Sequence, residues 1–234
     1  MMKRSFPTFI LILSLISVVS CSFRRNELRW EKEEIPCLKR VVILGFRPVS
    51  PIFKGSSYVR CPISNNTFRG ERVSKDVTTV MTNLFLKHIS NNKYFEIVMP
   101  QMVEKEFWDL YQVIDNTRKK ELLLNYLRQI GLAFDADAVL LGYVFRWEER
   151  VGSDFSAMKP ASVSFDLHLI ETEEGKVVWT EEFDKTQKSL SENLLEIKTF
   201  IKGKGRWLTA KGLAEIGIAG MVKKLLKTQR KCKK

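Results

Sequence analysis

The stretch that decides the fold is 161–186, "ASVSFDLHLIETEEGKVVWTEEFDKT". Its first half alternates between apolar and polar residues, a period of two that is typical of a β-strand with one apolar face. The apolar set is Val163, Phe165, Leu167 and Leu169, and the polar set is Ser164, Asp166 and His168. "EEGK" then turns the chain into a second strand-like run, so the stretch predicts a β-hairpin. His168 is expected on the polar face, and no sequence spacing suggests a catalytic partner for it.

Three apolar runs upstream predict further strands: "LKRVVILGF" at 38–46, "YFEIVM" at 94–99 and "ADAVLLGYVFRWEERV" at 136–151. Nearly continuous apolar runs are typical of strands that are covered on both faces. The segment 47–72 between the first two contains several prolines and glycines, and it is predicted to be a long loop.

Helical periodicity predicts helices between and after these strands. Ser74 can cap the first, which runs to about Asn91, and Thr209 can cap a C-terminal one. A third helix, "RKKELLLNYLRQIG", is expected to end at Gly131 because glycine commonly follows a helix C-terminus. The predicted fold class is α/β (α+β), with a mixed β-sheet flanked by helices.

The N-terminus predicts an export signal. Lys3 and Arg4 precede an apolar run too short and too rich in serine for a spanning helix, which indicates a signal peptide over residues 1–20. The segment Val18-Val19-Ser20-Cys21 resembles a bacterial lipobox, so Cys21 is the predicted lipidation site. An ordinary secretory signal with a chance cysteine is the alternative. Ser22 is not the aspartate that usually implies inner-membrane retention, so the sequence favours the outer membrane, on its periplasmic face.

The rest of the chain divides into a polar tether at 21–36 and a single α/β domain at 37–230, with C-terminal helices and a basic tail. The whole chain of 234 residues carries 39 basic and 27 acidic side chains, a formal charge of +12. Seven cations fall in "KKLLKTQRKCKK", 223–234, which predicts contact with an anionic surface or, alternatively, a solvated helix end. No nucleic-acid partner is expected, because the chain carries an export signal and no recognisable motif.

Three cysteines remain after Cys21. In an oxidising compartment Cys37 and Cys61 can pair, which would leave Cys232 over. "CPIS" at 61–64 is like half of a zinc knuckle, but the sequence shows no second half. Neither a metal nor another cofactor is therefore expected.

The runs "RVVILGF", "KYFEIVMPQMV" and "DADAVLLGYV" resemble the periplasmic α/β domain shared by the N-terminal domain of TolB, LpoB and CsgG. The matching part spans about residues 38–185, and the block from residue 161 also looks like that of uncharacterised Gram-negative lipoproteins. Gly45 stands where such domains often have proline in the first strand. The resemblance implies a mixed sheet flanked by helices that works by protein–protein contact.

The sequence thus predicts a lipid-anchored accessory protein of the bacterial cell envelope, acting in envelope assembly, wall synthesis or secretion by binding partner proteins. The alternatives are a pore subunit of the curli-channel kind and a peptidoglycan-acting enzyme. No catalytic residue is predicted, since no triad, phosphate loop or metal-ligand cluster is visible, so the chain is not expected to be an enzyme. The predicted contact surface comprises Arg146, Trp147, Arg206 and Trp207, because Arg and Trp are enriched at binding hot spots.

Overall fold

A five-stranded mixed sheet lies at the centre of the structure, which is a computed structural model. The structure describes residues 35–49, 58–99, 119–153, 156–187 and 206–233. Within these ranges the strands are β1 (Arg40–Pro48), β2 (Tyr58–Arg60), β3 (Thr67–Arg69), β4 (Glu96–Val98), β5 (Ala138–Glu148), β6 (Val151–Gly152), β7 (Ala157–Lys159), β8 (Ser162–Glu171) and β9 (Val177–Thr186). The helices are α1 (Lys75–Ile89), α2 (Lys119–Ala133), α3 (Ala210–Gln229) and a short 3-10 helix at Arg230–Lys233.

The strand order of the central sheet is β4-β1-β5-β8-β9. β4, β1 and β5 run parallel, and β8 and β9 join them as an antiparallel hairpin. The hairpin predicted from 161–186 and the predicted fold class are confirmed. The long loop predicted at 47–72 is partly wrong, because β2 and β3 form a small antiparallel hairpin inside it.

Both faces of the sheet are covered. On one face α1 and α3 enclose a core that includes the apolar set of β8. On the other face α2 and the β2–β3 hairpin enclose a second core that includes Val139, Leu141 and Ile170. The ring of Phe68 on β3 stacks on that of Phe145 on β5, with ring centroids 4.1 Å apart. Burial on both faces means that the polar set of β8 lies inside the protein, not at its surface.

The predicted helices form, with corrections at two of their ends. Thr209 caps α3 by accepting a hydrogen bond from the backbone N–H of Gly212 at 3.1 Å. Ser74 stands at the predicted N-cap position of α1, but its side chain makes no capping hydrogen bond. Gly131, however, does not end α2, which continues to Ala133. A Cβ at position 131 would stand 2.2 Å from the Thr172 hydroxyl, so close packing of helix against sheet explains this glycine.

A disulfide joins Cys37 to Cys232 and so ties the start of the domain to its end. Beside it, the side-chain amide of Gln229 donates to the Pro36 carbonyl at 3.1 Å and accepts from the Leu38 N–H at 2.9 Å. The predicted Cys37–Cys61 pair is wrong, because Cys61 is buried beside β8 and carries a free thiol. In the part of the chain that the structure describes, none of the helices has both the length and the apolar character needed to cross a membrane.

The described residues include neither the predicted signal peptide at 1–20 nor Cys21, and they include only the end of the tether at 21–36.

Candidate functional site

Three potential ligand side chains meet in the interior between the β2–β3 hairpin and the sheet. Cys61 follows the last residue of β2, and Asp166 and His168 stand two residues apart on β8. Because side chains alternate along a strand, this spacing places the carboxylate and the imidazole on the same face. Asp166 and His168 expose 0% of their surface and Cys61 exposes 1%. We call Cys61, Asp166 and His168 the buried trio.

The three side chains converge on one ring nitrogen. Nε2 of His168 lies 3.2 Å from Cys61 Sγ and 3.0 Å from Asp166 Oδ2. The other ring nitrogen, Nδ1, lies 2.9 Å from the hydroxyl of Thr180 on β9. A ring nitrogen carries at most one hydrogen, so a single N–H cannot be directed at both the sulfur and the carboxylate.

The surroundings of Cys61 favour its protonated thiol form. Burial raises its pKa to about 12, and the negative charge of Asp166 contributes in the same direction. Backbone N–H groups of Ile63 and Ser64 both point at the sulfur, each at 3.4 Å, and hydrogen bonding from Ser64 favours the thiolate. Since the thiolate is the nucleophile in cysteine chemistry, this environment does not activate Cys61 for attack on a substrate.

The trio does offer the donors of a transition-metal site. Its sulfur, nitrogen and oxygen atoms all lie within 4.8 Å of one another. Thiolate, imidazole and carboxylate are the three ligand types that proteins use for zinc. The contact between Thr180 and Nδ1 fixes the ring so that Nε2 faces the other two donors, as outer partners of metal-binding histidines do.

Sequence reasoning missed this site, although it noted the likeness of "CPIS" to half of a zinc knuckle and placed His168 on the polar face of its strand. "CPIS" at 61–64 has the local form of a metal-binding turn, and Asp-x-His on β8 supplies two ligands on one face. No sequence spacing suggests a partner for His168, whereas the structure places it beside Cys61, 107 residues away, and Asp166, two residues away.

Arg146 of the predicted contact surface is in fact buried, with 3% of its surface exposed. Its guanidinium forms an ion pair with Asp184 on β9 and donates to the Ser162 hydroxyl at 2.7 Å and to the Arg69 carbonyl at 2.9 Å. This arginine therefore joins β5, β9 and the end of β3 from within. Its prediction as a contact residue was wrong.

The other three predicted contact residues lie nearer the surface. Arg206 is exposed, and Trp147 and Trp207 are half-buried, with Trp147 packed against the core under α1 and α3. The amide of Gln187 holds the segment around Arg206: its Nε2 donates to the Arg206 carbonyl at 2.9 Å, and its Oε1 accepts from the Leu208 N–H at 2.7 Å.

No protein-family model matches this chain, and no curated protein sequence matches it either. Several solved structures are similar. The hypothetical protein CT253 from Chlamydia trachomatis gives a TM-score of 0.46 at 8% identity, over 82% of this chain and 97% of that one.

Two further similar structures bear on the resemblance seen in the sequence. Lipoprotein GNA1162 from Neisseria meningitidis gives a TM-score of 0.39 at 14% identity, over 70% of this chain and 92% of that one. The LpoB C-terminal domain from Salmonella enterica gives 0.32 at 10% identity, over 65% and 86%. The similar structures thus include a lipoprotein and an LpoB domain. Every one of these TM-scores lies below 0.5, so the likeness assigns no function.

Proposed function

We propose that this protein is a lipid-anchored accessory protein of the bacterial cell envelope that faces the periplasm and acts by binding partner proteins. The structural observation that carries the proposal is the Cys37–Cys232 disulfide, since such bonds form and persist in oxidising compartments such as the periplasm. It supports export independently of the signal at 1–20 and the lipobox at Cys21.

The same disulfide bears on how the domain meets a membrane. It fixes the basic end of the chain next to Cys37, where the tether enters the domain. Lys227, Arg230 and Lys231 are exposed in this segment. Cations near an anionic surface add electrostatic attraction to that of a lipid anchor, about 1 kcal/mol for each Lys or Arg. The basic tail is accordingly proposed to contact anionic headgroups or an anionic envelope polymer.

Partner binding is proposed for the surface at Arg206 and Trp207. Gln187 holds the backbone of this segment at two points, so little conformational entropy remains to be lost when a partner binds. Arg and Trp are also the residue types that most often contribute binding energy at interfaces.

Membrane fractionation tests the anchor. Cys21→Ser, which removes the sulfur to which the lipid would be attached, is expected to move the protein from the outer-membrane fraction to the soluble fraction. Ser22→Ala is the matched control and is expected to stay with the membrane. A wild-type chain that is fully soluble, or a Cys21→Ser chain that still fractionates with the outer membrane, would count against the anchor.

Cross-linking in intact cells, followed by affinity capture, tests partner binding. A photo-reactive residue at position 206 is expected to capture a defined envelope protein. The capture should be lost when Trp207→Ala is combined with it, and it should survive Arg72→Ala, which changes an exposed arginine elsewhere. Failure to capture any defined protein from this position would contradict the proposed contact surface.

A further inference from the structure

We propose that the buried trio of Cys61, Asp166 and His168 binds one zinc ion, which fastens the β2–β3 hairpin to the central sheet. The site lies within the folded domain and does not depend on the lipid anchor, so it goes beyond the proposed envelope role.

The first argument is the position of the three donors around one point. Sulfur and oxygen both approach Nε2 of His168, at 3.2 and 3.0 Å. Ligands of a tetrahedral zinc ion, with bond lengths of about 2.0–2.3 Å, stand about 3.4–3.6 Å from one another. These two distances are a few tenths of an ångström shorter than in a zinc site, and all three donor atoms lie within 4.8 Å of one another.

The second argument is the poor hydrogen bonding of the buried Asp166 carboxylate. The Cys61 thiol and Nε2 of His168 adjoin the carboxylate, but within the described ranges neither completes a hydrogen bond of good geometry to it. A buried carboxylate that is poorly satisfied is costly, and such groups in proteins are normally paired or coordinate a metal. A cation between Asp166, His168 and Cys61 would pair with the carboxylate directly.

The third argument is the set of donor types. The sulfur, nitrogen and oxygen donors suit zinc, whereas magnesium and calcium prefer oxygen ligands alone.

The fourth argument is that neighbouring groups already hold Cys61 and His168 in position. The two backbone N–H groups at Ile63 and Ser64 already point at the sulfur, in the turn that follows the prolyl residue Pro62. Thr180 orients the histidine ring from the other side. Such outer contacts hold metal ligands in place and tune their basicity.

The competing explanation is a hydrogen-bonded trio that holds no metal, in which Nε2–H donates to one of its two neighbours. The two explanations differ in metal content.

The test uses the full-length chain, extracted in detergent without chelators and carrying no polyhistidine tag. Elemental mass spectrometry is expected to find one zinc per chain. Replacing zinc with cobalt(II) is expected to produce thiolate-to-metal charge-transfer absorption. Cys61→Ser, Asp166→Asn and His168→Gln should each lower the bound zinc at least tenfold. His88→Gln changes the other histidine of the chain, and it should leave both signals unchanged.

A second measurement uses the wild-type chain, so that its result does not depend on whether the variants fold. In the wild-type chain, a thiol-specific mercurial should release one zinc for each thiol modified, detected with a metal-binding dye. The cobalt absorption should persist in Cys21→Ser, which assigns it to Cys61, because the remaining two cysteines form the disulfide. Absence of zinc together with absence of the cobalt absorption in the wild-type chain would overturn the proposal.

Discussion

Breaking the Cys37–Cys232 disulfide is expected to lower the stability of the domain greatly while leaving its folded structure nearly unchanged. The bond closes a loop with a sequence separation of 195 residues. In the native state the two ends remain together without it, because Gln229 bridges the backbone at Pro36 and Leu38 through a buried side chain. The loss therefore arises mainly in the unfolded chain, which gains conformational freedom when the cross-link is removed.

The chain-entropy relation gives the size of the effect. For a loop of this length the entropy removed from the unfolded chain is about 18 cal/mol/K, which is about 5 kcal/mol at 25 °C. Measured disulfides typically give about 2–4 kcal/mol, so a loss of about 3–5 kcal/mol is expected. This is a large part of the total of about 5–15 kcal/mol that is usual for a folded domain.

Urea denaturation followed by circular dichroism measures this loss. The Cys37→Ser/Cys232→Ser double variant should unfold at much lower urea than wild type, and each single variant should lose about as much as the double. A phosphine reductant should weaken the wild type to the level of the double variant and leave the double variant unchanged, since both cysteines are exposed. Equal unfolding midpoints with and without reductant would refute the reasoning.

Three further predictions concern stability measured by the same method. Gly45→Ala should cost about 2–4 kcal/mol, because position 45 has φ +75° and a Cβ there would stand 2.6 Å from a threonine hydroxyl on α1. Its control, Gly220→Ala, places a Cβ in open space on α3 and should gain up to about 1 kcal/mol. Arg146→Ala should cost about 2–3 kcal/mol, since it leaves buried acceptors unpaired. Glu215→Gln should flatten the loss of stability in acid, because hydrogen bonding from Lys87 lowers the pKa of Glu215 in the folded state.

The sign of the acid effect follows from linkage. A carboxyl group with a lowered pKa in the folded state contributes stability above its unfolded pKa, and that contribution disappears as the pH falls through the folded pKa. The wild-type free energy of unfolding should therefore fall more steeply than that of Glu215→Gln from about pH 5 downward. Parallel pH profiles for the two chains would contradict this. For the other two predictions, a Gly45→Ala chain as stable as Gly220→Ala, or an Arg146→Ala chain as stable as wild type, would be the contrary result.

The elements that sequence predicts well are those whose pattern depends on local periodicity. The apolar set of β8 alternates because one face of that strand packs on a core, so the pattern and the burial have the same cause. The Thr209 cap is predictable for the same reason, because a cap is a contact between residues three positions apart.

The errors fall where a distant residue decides the environment. Asp166 and His168 look like surface residues in the sequence, but both are buried, and His168 contacts Cys61 next to the β2–β3 hairpin. Arg146 looks like a contact residue until Asp184, 38 residues away, pairs with it. Gly131 looks like a helix end, but Thr172 on the sheet is what requires a glycine there.

The disulfide pairing could not be predicted from the sequence, for a similar reason. Three cysteines allow three pairs, and the choice depends on which two sulfurs the fold brings together. The fold places Cys37 and Cys232 with their Cα atoms 5.5 Å apart and turns Cys61 toward His168. Spacing along the chain does not show which cysteines lie close together in the fold.

Mass spectrometry of the mature N-terminal peptide tests the central claim, the lipid-anchored envelope protein, most directly. The account predicts a peptide that begins at Cys21 and carries a diacylglyceryl group on its sulfur and an acyl chain on its amine, from protein recovered in the outer membrane. An unmodified peptide that begins at another residue, from soluble protein, would contradict it.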